Sequence, residues 1–315
     1  MTLSVRNLRL WLRSPETGVP VEVLRGVSFE LGEGGSLGIV GESGSGKTMS
    51  GLSLIGLLPE GARREGEIIL GDRDIIGLRG DDIRAVRGKS IAMIFQDPAT
   101  ALNPLIRVGE QIAESLRTHE GKGQAEAARG AVEWLGRVGI DDPSGTAQKY
   151  PHQLSGGMRQ RAIIAMALCC GPRVLVADEP TTALDVSLQR QVLDLIGEVR
   201  RSSNTALILV SHDLALVSNE VERIAIMYAG RVVEAGPTAE VVAGALHPYT
   251  RMLLKAVPAW KRGEPLESVP GAPPDFAALP AGCSFRPRCP LASDKCRQEP
   301  VPEQRGPRMV ECWNV

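Results

Sequence analysis

The stretch SLGIVGESGSGKTMSGLSLIGLL, residues 36–58, constrains the fold more than any other part of the chain. An apolar strand runs into a glycine-rich loop. A helix follows, in which Leu52, Ile55 and Leu58 recur at helical spacing. Within it GESGSGKT (41–48) fits the G-x-x-x-x-G-K-[ST] pattern, in the strand–loop–helix setting that gives the pattern its meaning. Gly41, Gly44 and Gly46, with Ser43 and Ser45 between them, let backbone N–H groups turn inward around phosphate oxygens. The helix N-terminus adds its partial positive charge. Lys47 is placed to reach the β and γ phosphates, and the Thr48 hydroxyl to ligate Mg²⁺.

A second segment, VLVADEP (174–180), carries four apolar residues into Asp178, at the C-terminal end of a strand, where open α/β sheets bind ligands. An aspartate there holds Mg²⁺ through water, and Glu179 is placed to polarise an attacking water as general base. Taken alone, Asp-Glu-Pro is equally an acidic turn. Beside a phosphate loop the catalytic reading is the stronger.

The rest of the chain alternates strands and helices, which implies a mostly parallel sheet. SIAMIFQ (90–96) and ALILVS (206–211) read as strands, residues 186–201 as a helix, and RIAIMYAGRVVEAG (223–236) as a hairpin turning at Ala229-Gly230. In LRLWL, Leu8, Leu10 and Leu12 share one strand face and Trp11 takes the other. Residues 104–140 break the alternation. Leu105, Val108, Ile112 and Leu116 form one helical stripe, and Ala128, Val132, Leu135 and Val138 another, so an inserted helical subdomain is expected. Beyond Pro258, prolines mark a linker or irregular subdomain.

The net charge of −1 over 315 residues lacks the basic footprint of a nucleic-acid binder. No apolar run approaches the roughly 20 residues of a membrane span. A cytosolic protein is expected, with any membrane role coming through a partner.

LSGGMRQR (154–161) points beyond one phosphate site. Ser155 is a good N-cap, and Gly156 and Gly157 expose N–H groups at a second helix start. The loop at 41–48 already occupies one nucleotide's phosphates, so the economical reading is a second nucleotide held by a second subunit. Here the chain resembles the ATP-binding subunits of ABC transporters. The order of motifs matches over residues 1 to about 240: the phosphate loop, Gln96 in FQDP at the Q-loop, the LSGG signature, Asp178-Glu179, Asp185 in ALDV at the D-loop, and His212 in VSHD at the switch histidine. Met158 departs from the common glutamine of the signature, a departure the importers discussed next share.

The resemblance implies a P-loop ATPase of the ABC type, with a mixed-sheet core, an N-terminal antiparallel β subdomain and an inserted helical subdomain at about 97–155. The ATPase domain would span 1–257, followed by a small irregular Cys-rich extension at 258–315. Two such domains would sandwich two ATP molecules head to tail. Lys47, Thr48, Asp178, Glu179, Gln96 and His212 would act from one subunit and Ser155 and Gly157 from the other. Thr48, Gln96 and Asp178 would serve Mg²⁺. Trp11 matches the aromatic that stacks on adenine; the other reading is a solvent-exposed strand aromatic.

HPYTRMLL (247–254), VPGAPPD (269–275) and GCSFRPRC (282–289) resemble the peptide and nickel importer ATPases, specifically the oligopeptide/dipeptide type. That resemblance implies ATP hydrolysis coupled to peptide import at the cytoplasmic face of the inner membrane. The implied partners are a second ATPase subunit, identical or paralogous, two transmembrane permease subunits and an extracytoplasmic substrate-binding protein. The alternatives are another solute such as nickel or a sugar, or a DNA-repair or translation ATPase. A repair ATPase would insert a long coiled coil or zinc elements between its nucleotide motifs, and translation ATPases usually carry two nucleotide domains. The helical block and the Q-loop would face the permease; the alternative for the block is a solvated insertion.

Cys283, Cys289, Cys296 and Cys312 lie in a proline-rich segment with few apolar residues. Such a segment can hardly build its own core, and disulfides are disfavoured in the cytosol. Their spacing, C-x₅-C-x₆-C-x₁₅-C, has no close pair of the usual zinc kind, and Pro290 follows Cys289 as in bacterial cluster sites. The expectation is a structural 4Fe–4S cluster on these four ligands, with Zn²⁺ or unligated thiols as alternatives. Cys169 and Cys170 are expected as buried packing.

Overall fold

The computed structural model describes residues 2–96, 101–181, 186–256 and 269–315. Twelve strands are found among them: β1 (Leu3–Arg13), β2 (Pro20–Leu31), β3 (Ser36–Val40), β4 (Arg63–Leu70), β5 (Arg73–Asp74), β6 (Ile91–Ile94), β7 (Val174–Asp178), β8 (Ala206–Ser211), β9 (Arg223–Tyr228), β10 (Arg231–Pro237), β11 (Glu303–Arg305) and β12 (Arg308–Val310). They form two sheets. The smaller is antiparallel, in the order β2-β1-β4-β5; the larger runs β11-β12-β10-β9-β3-β8-β7-β6.

In the larger sheet, β9, β3, β8, β7 and β6 are parallel to one another. β3, β7 and β8 are buried along their whole length, as expected of strands covered on both faces. β9 and β10 form the expected hairpin, and Ala229 and Gly230 both take positive φ at its turn. β12 then adds to β10 and β11 to β12, so the C-terminal segment extends the larger sheet.

The inserted helices run Val108–Glu120 and Gln124–Arg137. Val108, Ile112 and Leu116 are buried as expected, but Leu105 precedes the helix and is 82% exposed. The second stripe lies one residue earlier than expected in its first half, at Ala127 and Ala131, before meeting Leu135 and Val138. Ala127 and Ala131 are small enough for close helix packing, and that choice of face outweighs the larger Val132. Cys169 and Cys170 are buried against this block, as expected. Both ends expected for the domain pieces, near 97 and 257, lie outside the described residues. Among the described residues no helix is long and apolar enough to cross a membrane.

Candidate functional site

Four adjacent parallel strands end at one place. The phosphate loop follows β3, Asp178 closes β7, His212 follows β8 and Gln96 follows β6. The C-terminal edge of such a sheet is where the fold leaves backbone groups and side chains free to meet a ligand.

The loop is shaped by close approach. A Cβ on Gly41 would stand 2.2 Å from the Met227 carbonyl oxygen, and Gly46 takes φ 103° as N-cap of the helix Lys47–Leu54. Neither position admits another residue without movement. Ser43 and Gly44 are exposed at the loop crest. Ser45 is buried and its backbone carbonyl accepts from Gly230 at the hairpin turn, 3.0 Å away. Its Oγ is buried with no hydrogen-bond partner among the described residues.

Lys47 is 5% exposed and folds back over the loop. Its Nζ donates to the carbonyl oxygens of Gly41 at 2.8 Å and Glu42 at 2.9 Å. Burial lowers its pKa, opposed by the charges of Glu179, Asp178 and Glu42. Those carbonyls are neutral acceptors, so a phosphate oxygen entering the loop outbids them through charge.

Thr48 Oγ1 donates to Asp178 Oδ1 at 3.3 Å. Burial pushes the Asp178 carboxyl up to about 6; the Thr48 bond and Lys47 oppose the rise and Glu179 adds to it. A buried carboxylate beside a hydroxyl is a hard oxygen donor set, and it fits Mg²⁺.

Glu179 sits at φ 45°, a left-handed conformation unusual for this residue type, with its N–H donating to Val210 O at 2.9 Å. Gln96 Nε2 donates to Oε2 of Glu179 at 3.0 Å, and His212 Nδ1 lies 3.1 Å from Oε1. Gln96, to which the resemblance gives both a catalytic and a Mg²⁺ role, here donates to the Glu179 carboxylate beside the loop.

Ser155 caps the helix Gly156–Leu168, its Oγ accepting from Met158 N at 3.3 Å. Ser155 and Gly156 are exposed, and a Cβ on Gly156 would meet nothing within 4 Å. Packing within the chain gives no reason for a glycine there, and the helix end is open to solvent. Gly157 faces Leu188, with ordinary room for a Cβ. Asp185 lies outside the described residues.

Trp11 is half-buried, on the strand face away from the apolar core, and the Arg63 guanidinium lies over its ring at 5.2 Å. Leu10 and Leu12, on the other face, pack in the core that contains Leu24. Leu24 is the side chain that a Cβ on Gly46 would touch. One face of the indole is therefore taken by a cation.

The four tail cysteines correct the sequence reading. Among the described residues, which include all four, no group of three or more His, Cys, Asp or Glu side chains is arranged to hold a metal ion. Neither a 4Fe–4S cluster nor zinc is supported. Burial raises the thiol pKa of Cys289 and Cys312 and pushes Cys283 up to about 11.

The premise behind the metal was that the tail has no core of its own. It borrows one. Phe285 is 2% exposed and packs on Tyr228 and Tyr249, with ring centroids 5.1 and 5.4 Å away. Glu299 accepts from Arg25 and Arg231, Glu311 pairs with Arg231, and Arg308 pairs with the fully buried Glu234. Glu234 also accepts from the N–H groups of Leu246 and His247. Sequence reasoning missed Glu42, Tyr249 and Arg288, which meet at the loop. The signal was present in CSFRPRC, an arginine flanked by cysteine and proline.

Comparison with known proteins adds to this geometry. The family model described as ABC transporter matches residues 24–182, and the one described as oligopeptide/dipeptide transporter, C-terminal region, matches 233–296. The oligopeptide transport ATP-binding protein OppD of Escherichia coli is 43% identical over 313 residues, covering 99% of this chain and 92% of that protein. The dipeptide transport ATP-binding protein DppD of Bacillus subtilis is 43% identical over 316 residues, covering 99% and 94%. Among solved structures, a dimeric bacterial ABC transporter cassette, MJ0796, superposes with TM-score 0.65 at 26% identity, over 75% of this chain and 98% of that one. A second structure of that cassette, in a post-hydrolysis state with ADP and Pi, superposes equally well.

Proposed function

The chain belongs to the ATP-binding subunits of oligopeptide/dipeptide ABC transporters, and on that premise we propose that two such subunits close a composite ATP site to drive peptide import through a membrane permease. It is an ATP-binding and ATP-hydrolysing importer subunit, and ATP with Mg²⁺ goes with the family. One observation carries the reading of the site. The loop lysine, the buried Asp178 and the Gln96–Glu179–His212 chain converge at one sheet edge, while Ser155 and Gly156 stand exposed at a separate helix end.

In this reading residues 41–48 cradle the phosphates and Lys47 gives up its loop carbonyls for them. Thr48 and Asp178 hold the metal, which supplies charge neutralisation on the phosphates. Glu179 accepts the proton of the attacking water, and His212 and Gln96 aim its carboxylate. Ser155, Gly156 and Gly157 meet the nucleotide held by the other subunit, and Asp185 is read as a further ATP-binding residue. Trp11 offers adenine the ring face not covered by Arg63.

The ATPase domain is read as 1–257 with its helical subdomain at about 97–155, and 258–315 as an extension fastened to it. The helical block and Q-loop dock the permease. A substrate-binding protein delivers peptide on the far side, and the chain sits peripherally at the cytoplasmic face. The test is uptake of a labelled dipeptide by vesicles carrying the assembled transporter, in competition with longer peptides, Ni²⁺ and sugars. Displacement by peptides alone is expected. Displacement by Ni²⁺ or a sugar, and not by peptides, would reassign the solute.

A further inference from the structure

The CSFRPRC stretch is the motif that hydrolysis leaves without a task. Its Arg288 side chain is only 6% exposed. Nη1 and Nη2 donate to the two carboxylate oxygens of Glu42 at 2.6 and 2.9 Å. Nε donates to Pro270 O at 2.7 Å, and Nη1 lies 3.4 Å from Tyr228 Oη. The guanidinium fork is therefore committed on several sides, in the bidentate geometry that gives arginine–carboxylate pairs their directionality.

Glu42 is the residue after Gly41, inside the phosphate loop. Its other polar groups are taken as well. Its N–H donates to Tyr249 Oη at 2.8 Å, and its carbonyl accepts from Lys47 Nζ. One loop residue is thus held at its amide, its carbonyl and its side chain, and the side-chain hold comes from the C-terminal tail. A pair serving only to staple the tail would work on any carboxylate of the surface. This one uses a carboxylate of the loop that must receive a triphosphate.

We infer that Arg288 is a positioning residue for the nucleotide loop: it fixes the Glu42 carboxylate, and with it the start of the loop, and cancels a negative charge that would otherwise face the incoming nucleotide. The inference rests on residues 41–48 being the ATP site. It gives the tail a role that needs no metal. The tail completes the phosphate loop from outside the ATPase core, so loop geometry and tail docking are coupled. Without Arg288, Glu42 is left partly buried and unpaired beside the phosphates, the circumstance in which breaking an ion pair costs most.

The test is MgATP binding by the full-length chain, followed by ATPase kinetics of the assembled transporter. Arg288→Ala is expected to raise the Kd for MgATP about tenfold or more, and KM similarly, while kcat at saturating ATP changes less than about twofold. Adding Glu42→Gln to Arg288→Ala removes the stranded charge and is expected to return Kd to within about threefold of wild type. A tail staple would give no such rescue. Should Arg288→Ala not fold, Arg288→Gln keeps most of the side chain's length and carries the same prediction. Wild-type affinity in the single variant overturns the inference, and so does a double variant no better than the single. A wild-type chain that fails to bind MgATP would overturn the nucleotide reading itself, and the inference with it.

Discussion

His212 Nδ1 stands 3.1 Å from Glu179 Oε1, while Gln96 holds the other oxygen of the same carboxylate at 3.0 Å. A glutamate gripped at both oxygens, on a backbone at φ 45°, is aimed rather than mobile. Glu179→Gln keeps the shape and removes the base. It is expected to bind MgATP normally and to hydrolyse it about 10²–10⁴-fold more slowly in single-turnover measurements. His212→Ala is expected to slow hydrolysis with little change in KM. Near-wild-type turnover by Glu179→Gln would remove it as the base.

Lys47 separates binding from chemistry. Lys47 is 5% exposed and its visible partners are two carbonyls, so Lys47→Ala removes the one charge proposed here to recognise phosphate. Titration with a fluorescent ATP analogue should show binding lost in this variant and kept in Glu179→Gln. Equal binding by the two would place the nucleotide elsewhere.

Ser155 tests assembly. The exposed helix end beside Gly156 has no packing reason for its glycine. Ser155→Arg is expected to leave ATP binding to the isolated chain unchanged and to abolish ATP-induced dimerisation in size-exclusion runs of a Glu179→Gln background. Dimerisation that survives would take Ser155 out of the composite site.

The nucleotide loop and Asp178 were legible in the sequence because their chemistry is local. A phosphate loop must read as strand, glycines and helix, and Asp178 must end a buried strand. The tail was not legible, for a matching physical reason. Its stability comes from residues far away in the chain: Phe285 on Tyr228, Arg308 on Glu234, Arg288 on Glu42. Spacing among its own cysteines carries no trace of those partners, and the apparent need for a metal came from counting only the tail's own apolar residues. The helical stripe slipped by one residue at Ala127 and Ala131 because small residues carry little hydrophobic signal yet permit the closest packing.

His247 is expected to make the fold acid-sensitive. It is 1% exposed, and burial, aided by the Arg251 charge, holds its pKa down at about 3 against an ordinary 6.5. Its Nδ1 accepts from Tyr249 N, so the neutral ring is the native form. Above 6.5 both folded and unfolded states carry it neutral. As pH falls from 6.5 toward 3 the unfolded state gains a proton that the folded state refuses, and this residue withdraws about 1.4 kcal/mol per pH unit over most of that window. His247→Asn keeps an N-cap acceptor without the titration. Its denaturation midpoint is expected to fall less steeply between pH 6.5 and 4.5 than that of wild type, in urea unfolding series at fixed ionic strength. Parallel curves would exclude His247.

Glu234 joins three elements with one fully buried carboxylate: β10, the helix entered at His247, and β12 through Arg308. Glu234→Ala strands Arg308 and two N–H groups, and is expected to cost about 3–5 kcal/mol. Limited proteolysis should then release fragments cut ahead of β12. Unchanged stability would mean that the tail is anchored chiefly by Phe285 and its ring neighbours.

ATP hydrolysis by the chain assembled with its second ATPase subunit and permease in lipid vesicles, with and without a peptide-loaded binding protein, tests coupled import most directly. A low basal rate is expected, raised several-fold by loaded binding protein and abolished by Glu179→Gln. Full-rate hydrolysis by the isolated chain, independent of its concentration and unmoved by peptide or permease, would contradict a composite ATP site coupled to import.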